Sequence, residues 1–218
     1  MNVKLKNCEV FSFETYFSKI TLMNDSPYKN IKVENWLEVT KKLVDQHPIS
    51  PEGIVDICNI AWKEIFNSTI GGIIKIGDQV NLTPQMIGNF LHILIAHHLK
   101  ELDSKLWRKE TNKGDKDIVY IPNDFYSFEI KTSSSVNDIY GNRSYGQPQA
   151  DNSKKGKDGY YLAVNFSKPT KEKLPEITKI RFGWIEHSDW IAQRSPTGQQ
   201  CRLTPEAKKY KLLTLHSK

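Results

Sequence analysis

A chain of 218 residues is long enough for one full hydrophobic core, and a composition 38% hydrophobic and 26% charged excludes wholesale disorder. No apolar run reaches the roughly 18–20 residues that cross a bilayer, and the start, Met1-Asn2-Val3-Lys4-Leu5-Lys6-Asn7, lacks the apolar core of a secretory signal, so a cytoplasmic protein with no membrane role is expected. The net charge of +6 is placed unevenly: residues 1–100 hold 10 basic and 10 acidic side chains and the other 118 hold 21 and 15, so the surplus lies where a polyanion-binding surface would put it.

Residues 1–30 mix aromatic and polar groups without periodicity and predict no element. Over 33–46, Trp36, Leu37, Val39, Leu43 and Val44 recur at helical spacing. His47-Pro48-Ile49-Ser50-Pro51 breaks that helix, with Ser50 as N-cap and Pro51 as first residue of a second helix running to about residue 67. Its core face carries Ile54, Ile57, Cys58, Ala61 and Trp62. Gly71-Gly72 and Gly77-Asp78 bracket a short apolar piece, and Thr83-Pro84 opens a third helix through Leu99 or beyond. The first hundred residues therefore read as mainly helical. His92, His97 and His98 on the third helix are five and six apart, which sets no metal-binding pair on one face, and they read as core or surface histidines. Cys8, Cys58 and Cys201 are scattered and form no CxxC pair, so neither a disulfide framework nor a zinc site is expected.

The pattern then changes. Asn112-Lys113-Gly114-Asp115 is turn-like, and 117–121 and 127–131 predict two strands joined through Pro122-Asn123-Asp124. Strands are also expected at 160–166 and 179–185, and a short helix at 205–213. Between them, 141–159 is a polar stretch too long for an ordinary connection, which is usually a functional segment or a disordered one. No repeat divides the chain, which reads as a single domain with a helical part to residue 100 and a sheet-bearing part over 101–218.

The chemistry is concentrated in Asp117-Ile118-Val119-Tyr120 and Phe128-Glu129-Ile130-Lys131. Glu129 and Lys131 are two apart on an apolar strand and share a face, while Phe128 and Ile130 turn to the other. A carboxylate and an ammonium at a strand centre need a reason, since burying charge is costly unless it is paired or binds metal. Phosphodiester hydrolysis supplies one: two carboxylates hold Mg2+, and the lysine acts on the attacking water. An odd-numbered hairpin loop, with Ile121 facing Ser127, would set Asp117 opposite Lys131 and diagonal to Glu129. Asp115 is a reserve for the second carboxylate, and Asp124 lies too near the turn. A plain cross-strand ion pair between Asp117 and Lys131 is the alternative that geometry leaves open.

Asp117 followed by Glu129-Ile130-Lys131 resembles the PD-(D/E)xK nuclease core. The stretches Gln85-Met86-Ile87-Gly88-Asn89-Phe90-Leu91-His92, Ile139-Tyr140-Gly141-Asn142-Arg143-Ser144-Tyr145-Gly146-Gln147, Arg181-Phe182-Gly183-Trp184, Asp189-Trp190 and Gly198-Gln199-Gln200 resemble type II restriction endonucleases of the ScaI type. The resemblance implies an α/β fold with a central mixed sheet flanked by helices. It also implies Mg2+-dependent cleavage of duplex DNA to 5′-phosphate ends, with Asp117 and Glu129 as metal ligands and Lys131 positioning or helping to deprotonate water. A homodimer and a cognate DNA methyltransferase as genetic partner follow from the same class. One departure is the absent proline: Lys116 precedes Asp117. Such enzymes often draw a further acid from the helix before the hairpin, and Glu101 is the candidate, with Asp103 behind it. Lys154, Lys155 and Lys157 are expected to neutralise phosphates, and Arg143, Gln147, Arg194, Gln199 and Gln200 to contact DNA. A repair or recombination nuclease on the same core, or a silent DNA-binding module, are the rival readings.

Overall fold

The computed structural model describes residues 26–147, 156–170, 173–193 and 198–218. A 3-10 turn at Val33–Asn35 leads into helix α1 (Trp36–Gln46), which buries Thr40, Leu43 and Val44. Helix α2 (Pro51–Asn67) begins where expected, the Ser50 hydroxyl accepting the Gly53 N–H at 3.0 Å and Pro51 occupying the first turn, where no N–H is missed. Strands β1 (Thr69–Ile70) and β2 (Ile74–Lys75) form a hairpin whose turn needs Gly71 and Gly72, both at positive φ, 62° and 75°. Helix α3 (Pro84–Leu102) repeats the device, with Thr83 capping Met86.

Strands β3 (Trp107–Lys109), β4 (Ile118–Tyr120), β5 (Phe128–Ser133), β6 (Tyr140–Asn142), β7 (Gly159–Phe166), β8 (Ile177–Ile185), β9 (Trp190–Ala192) and β10 (Gln200–Leu203) follow, then helix α4 (Pro205–Tyr210) and strand β11 (Leu213–Ser217). Six of these form one mixed sheet in the order β11-β8-β7-β5-β4-β3, where β5 and β7 pair in parallel and all other neighbours are antiparallel. Three more form a small antiparallel sheet, β6-β10-β9.

The sequence of β7, Gly-Tyr-Tyr-Leu-Ala-Val-Asn-Phe, is buried throughout. Tyr160, Leu162, Val164 and Phe166 point into the main core with residues of α1, α2 and α3, whereas Tyr161 and Ala163 join a second core built with Trp190, Cys201 and Leu203. The central strand is thus covered on both faces, by helices on one and by the small sheet and α4 on the other, which is why it reads as a continuous apolar run. Helix α3 packs on β3 and β5, and α1 on β8.

Several expectations change. The strands β3, β6, β9, β10 and β11 add to the expected elements, and the terminal helix ends at Tyr210, after which the chain returns as a sheet edge. Part of the polar stretch is ordered as β6 and a 3-10 turn at Arg143–Gly146. The hairpin register also differs. Ile118 pairs with Phe128, which carries Asp117 toward Glu129 rather than Lys131. The cause is local: a 3-10 turn at Asp124–Tyr126 replaces the regular ladder, and Ser127 closes it by accepting the Tyr120 N–H at 3.0 Å and donating to Asp124 at 2.8 Å.

The contact of β8 with the α4–β11 connection is close enough to test. A Cβ on Gly183 would lie 2.1 Å from the Lys211 carbonyl oxygen. That backbone is pinned, because the buried Lys211 ammonium reaches both Asp189 oxygens at 2.9 Å, pairs with Glu186, and lies 4.4 and 4.3 Å from the ring centres of Tyr28 and Trp36. Gly183→Ala is therefore expected to destabilise the fold by about 1–3 kcal/mol, the usual cost of overpacking. A thermal melt should show this as a fall of several degrees; an unchanged midpoint would mean that the strand separates freely here.

Candidate active site

Strand β5 sets the geometry. Phe128 and Ile130 are buried in the main core, so Glu129 and Lys131 face the other side of the sheet, toward the small sheet. The Glu129 side chain is only 1% exposed, and three groups converge on it. Lys131 Nζ lies 3.2 Å from Oε2, the Tyr145 hydroxyl donates to the same oxygen at 3.2 Å, and Lys116 Nζ stands 4.0 Å from Oε1. A buried carboxylate is tolerable because cations and a donor surround it.

Asp117, at the entry to β4, accepts the Ile130 N–H through Oδ2 at 2.8 Å. Its carboxylate thereby closes the gap at the end of the β4–β5 ladder and is fixed against the strand that carries Glu129. His92 Nδ1 from α3 is 3.7 Å from the same oxygen. Burial works against the Lys131 charge, but Glu129, then Tyr145 and Asp117, outweigh it and hold the group above the ordinary lysine value. Lys131 is consequently an ammonium at neutral pH.

Asp117, Glu129 and Lys131 line one cleft of about 340 Å3, together with His92, Tyr140 and Tyr145. Ile130 lines it too, and since its side chain is in the core, it is the main chain that faces the cleft. A groove of about 730 Å3 continues from this cleft, sharing His92, Thr132 and Tyr140. Its wall on α3 is a polar stripe, Gln85, Asn89 and His92, at one-turn spacing. Gly88 sits within the stripe because a Cβ there would come 2.5 Å from Thr132 Oγ1, and its absence lets α3 lie against the end of β5.

The other anticipated residues are distributed as follows. The Arg143 guanidinium donates to the Gly198 carbonyl at 3.3 Å and its N–H donates to the Gln199 carbonyl at 2.8 Å. Gln200 pairs with Asn142 and lines the groove. Lys157 donates to the Ser144 carbonyl and lies over the Tyr145 ring, 4.9 Å from its centre. These four stand together beside the cleft, and Gln147 is exposed at the end of the turn. Lys154, Lys155 and Arg194 lie outside the described residues.

The acidic reserves are not brought to the cleft. Glu101 is exposed near the end of α3, nine residues beyond His92 and therefore about two and a half turns on, facing the opposite side. Asp103 ends that helix and accepts the Lys105 N–H at 2.8 Å. Asp115 clips its own turn, accepting from Arg108 at 2.6 Å and from the Thr111 and Asn112 N–H groups at 2.9 and 3.1 Å. Arg108 holds its carboxyl far below the usual carboxylate range. The residues that sequence reasoning missed are His92 and Tyr145. His92 had a signal, since with Gln85 and Asn89 it makes a polar line on the largely apolar first half of its helix. Tyr145 had no signal beyond its place in a stretch resembling the family, because the turn that carries it is set by contacts distant in sequence.

A mixed sheet backed by helices, with two carboxylates and a lysine brought to one cleft from β5 and the entry to its neighbour β4, is the architecture expected of a restriction endonuclease core. Family comparison agrees with that class. The chain belongs to the ScaI restriction endonuclease family, which matches residues 26–216. It is 44% identical over 196 residues to the type II restriction enzyme ScaI of Streptomyces caespitosus, an overlap of 89% of this chain and 86% of that one. No solved structure matches it. The chain is therefore a DNA-cleaving hydrolase of the sequence-specific restriction class, and neither a repair nuclease nor a silent binding module is favoured. Among the described residues no helix is long and apolar enough to cross a membrane.

Proposed function

We propose that this restriction endonuclease hydrolyses duplex DNA with Mg2+ at the cleft formed by Asp117, Glu129 and Lys131, leaving 5′-phosphate and 3′-hydroxyl ends. The observation that carries the proposal is the convergence of these three side chains on one cleft although Asp117, at the entry to β4, is 12 residues from Glu129 on β5. The donor set suits the metal. Among the described residues no group of three or more His, Cys, Asp or Glu side chains offers a ready cage. A cation here would rest on the hard oxygens of Asp117 and Glu129, with the main chain of Ile130 and water beside them, and Mg2+ is the ion that keeps much of its water. When bound, Mg2+ would supply charge neutralisation at the scissile phosphate and a water of lowered pKa.

The chain's own residues do the rest. Asp117 is preorganised by the Ile130 N–H, so it spends little ordering energy on meeting its ligand. Lys131, beside Glu129 in the same cleft, suits orienting or helping to deprotonate the attacking water and stabilising charge that develops on the phosphate. Arg143, Gln147, Lys157, Gln199 and Gln200 on one side, and the α3 stripe on the other, flank a path for the duplex, and Lys154, Lys155 and Arg194, outside the described residues, are expected to contact DNA as well. Cutting both strands of a symmetric site calls for two such clefts, hence a homodimer in the cytoplasm beside a methyltransferase that protects the host site.

Plasmid digestion tests the metal directly. Cleavage is expected with Mg2+, to stop in EDTA, and to resume when Mg2+ is added in excess. Undiminished cutting in excess chelator would refute the metal mechanism.

A further inference from the structure

We propose that Tyr145 is a positioning residue of the cleavage reaction, its hydroxyl orienting the buried Glu129 carboxylate and its ring face seating the Lys131 ammonium. The inference rests on the reading of the cleft given above and adds a residue from outside the catalytic sheet. Tyr145 Oη donates to Glu129 Oε2 at 3.2 Å, and Lys131 Nζ, itself 3.2 Å from that oxygen, lies 4.9 Å from the Tyr145 ring centre. One phenol therefore touches both partners of the acid–lysine pair. The chemistry needs a tyrosine: a phenylalanine has the electron-rich face that attracts a cation but no donor for the carboxylate, and a serine has the reverse. A lysine side chain has four rotatable bonds, and one that must hold a water has to be fixed by its surroundings.

The ring is placed by several close contacts. Tyr145 is in the turn at Arg143–Gly146, and both glycines around it are sterically required. A Cβ on Gly141 would lie 3.1 Å from Tyr145 Cγ and 2.9 Å from Cys201 Sγ, and one on Gly146 would lie 2.5 Å from the Ala192 backbone nitrogen. The turn is thus wedged against β9 and β10. Trp190 closes the back, meeting the tyrosine edge-on at 5.1 Å between ring centres. Lys157 lies against the same ring, also 4.9 Å from its centre, so the turn is tied to the rim of the cleft as well. The small sheet β6-β10-β9 delivers an aromatic side chain into a cleft whose acids and lysine all come from the large sheet. A ring that merely filled the space between the sheets would be half-buried without directing its hydroxyl to the most buried carboxylate in the cleft.

The test compares Tyr145→Phe, Tyr145→Leu and Lys131→Ala on a plasmid whose cut site has been mapped from the wild-type fragment ends. Single-turnover cleavage is measured in saturating Mg2+, binding of a duplex containing that site in Ca2+, and melting temperature on the same preparations. Tyr145→Phe keeps ring, volume and cation contact, and is expected to cut about 10- to 100-fold more slowly, the range for a lost hydrogen bond to a charged group. Its binding should stay within about threefold of wild type, and its melting temperature should fall by several degrees at most, because Lys131 and Lys116 still face Glu129. Tyr145→Leu should cut roughly tenfold more slowly again, since the ring face is lost too. Cleavage by Tyr145→Phe at the wild-type rate overturns the proposal, and so does a Tyr145→Leu defect matched by equal losses in binding or melting temperature, which would mark a space-filling ring. Lys131→Ala separates the two levels: normal cutting by that variant sinks the reading of the cleft, whereas a dead Lys131→Ala beside a fully active Tyr145→Phe sinks only the role of Tyr145.

Discussion

Lys131→Ala is expected to lower cleavage by roughly 10²–10³-fold, to background in a plasmid digest, while sequence-specific binding in Ca2+ stays close to wild type. The ammonium is 3.2 Å from Glu129 and lines the cleft, and in the proposed mechanism it serves the phosphate and the attacking water rather than base edges. Its charge is most valuable when the phosphate gains charge in the transition state, and a loss there appears in the chemical step and not in ground-state affinity. The fold should survive, because Lys116 and the Tyr145 hydroxyl still face Glu129. A variant that cuts at the wild-type rate would return Lys131 to the role of a simple ion-pair partner.

Asp117→Asn and Glu129→Gln should each abolish cleavage, and the structure separates their effects on stability. In Asp117→Asn the new amide oxygen can still accept the Ile130 N–H, which now goes to Asp117 Oδ2 at 2.8 Å, so melting should be unchanged while the metal loses a carboxylate. Glu129→Gln removes the countercharge of a lysine 3.2 Å away in a nearly dry site, and is expected to cost about 1–3 kcal/mol as well as activity. Repulsion between the two acids would have predicted the opposite sign for Glu129, a gain in stability. The lysines at 3.2 and 4.0 Å are what reverse it. Calorimetry of both variants without metal decides the matter. An unfolded Asp117→Asn protein would mean that this carboxylate holds the hairpin together and has no separable role in catalysis.

Much of the helical half was legible because its signals are local. Ser50-Pro51 and Thr83-Pro84 each specify a cap and a first turn within two residues, and both helices start there. The catalytic strand was legible because Phe128 and Ile130 alternate with Glu129 and Lys131, a period that only a strand satisfies. What escaped depends on contacts distant in sequence. Strands β3, β6 and β9 have three residues each, too few for alternation to register, and exist because partners are supplied from elsewhere. The hairpin register turned on the Ser127 hydroxyl, a side chain standing in for a ladder bond, which parity arguments do not see. Charge alone favours Glu101 over His92, whereas the helix phase, set by burial of Ile87, Leu91 and Ile95, decides which residue meets Asp117.

The parallel pairing of β5 with β7 bears on the order in which the enzyme comes into being. Hairpin β4–β5 joins neighbours in sequence and can form within microseconds, which brings Asp117 and Glu129 together early. Registering β5 beside β7 must wait for the whole crossover between Ser133 and Gly159 to close, a loop-entropy barrier that slows non-local pairing. Tyr145 and the strand β6 lie inside that crossover. A chain leaving the ribosome would therefore carry its acids and lysine before the framework that aligns them.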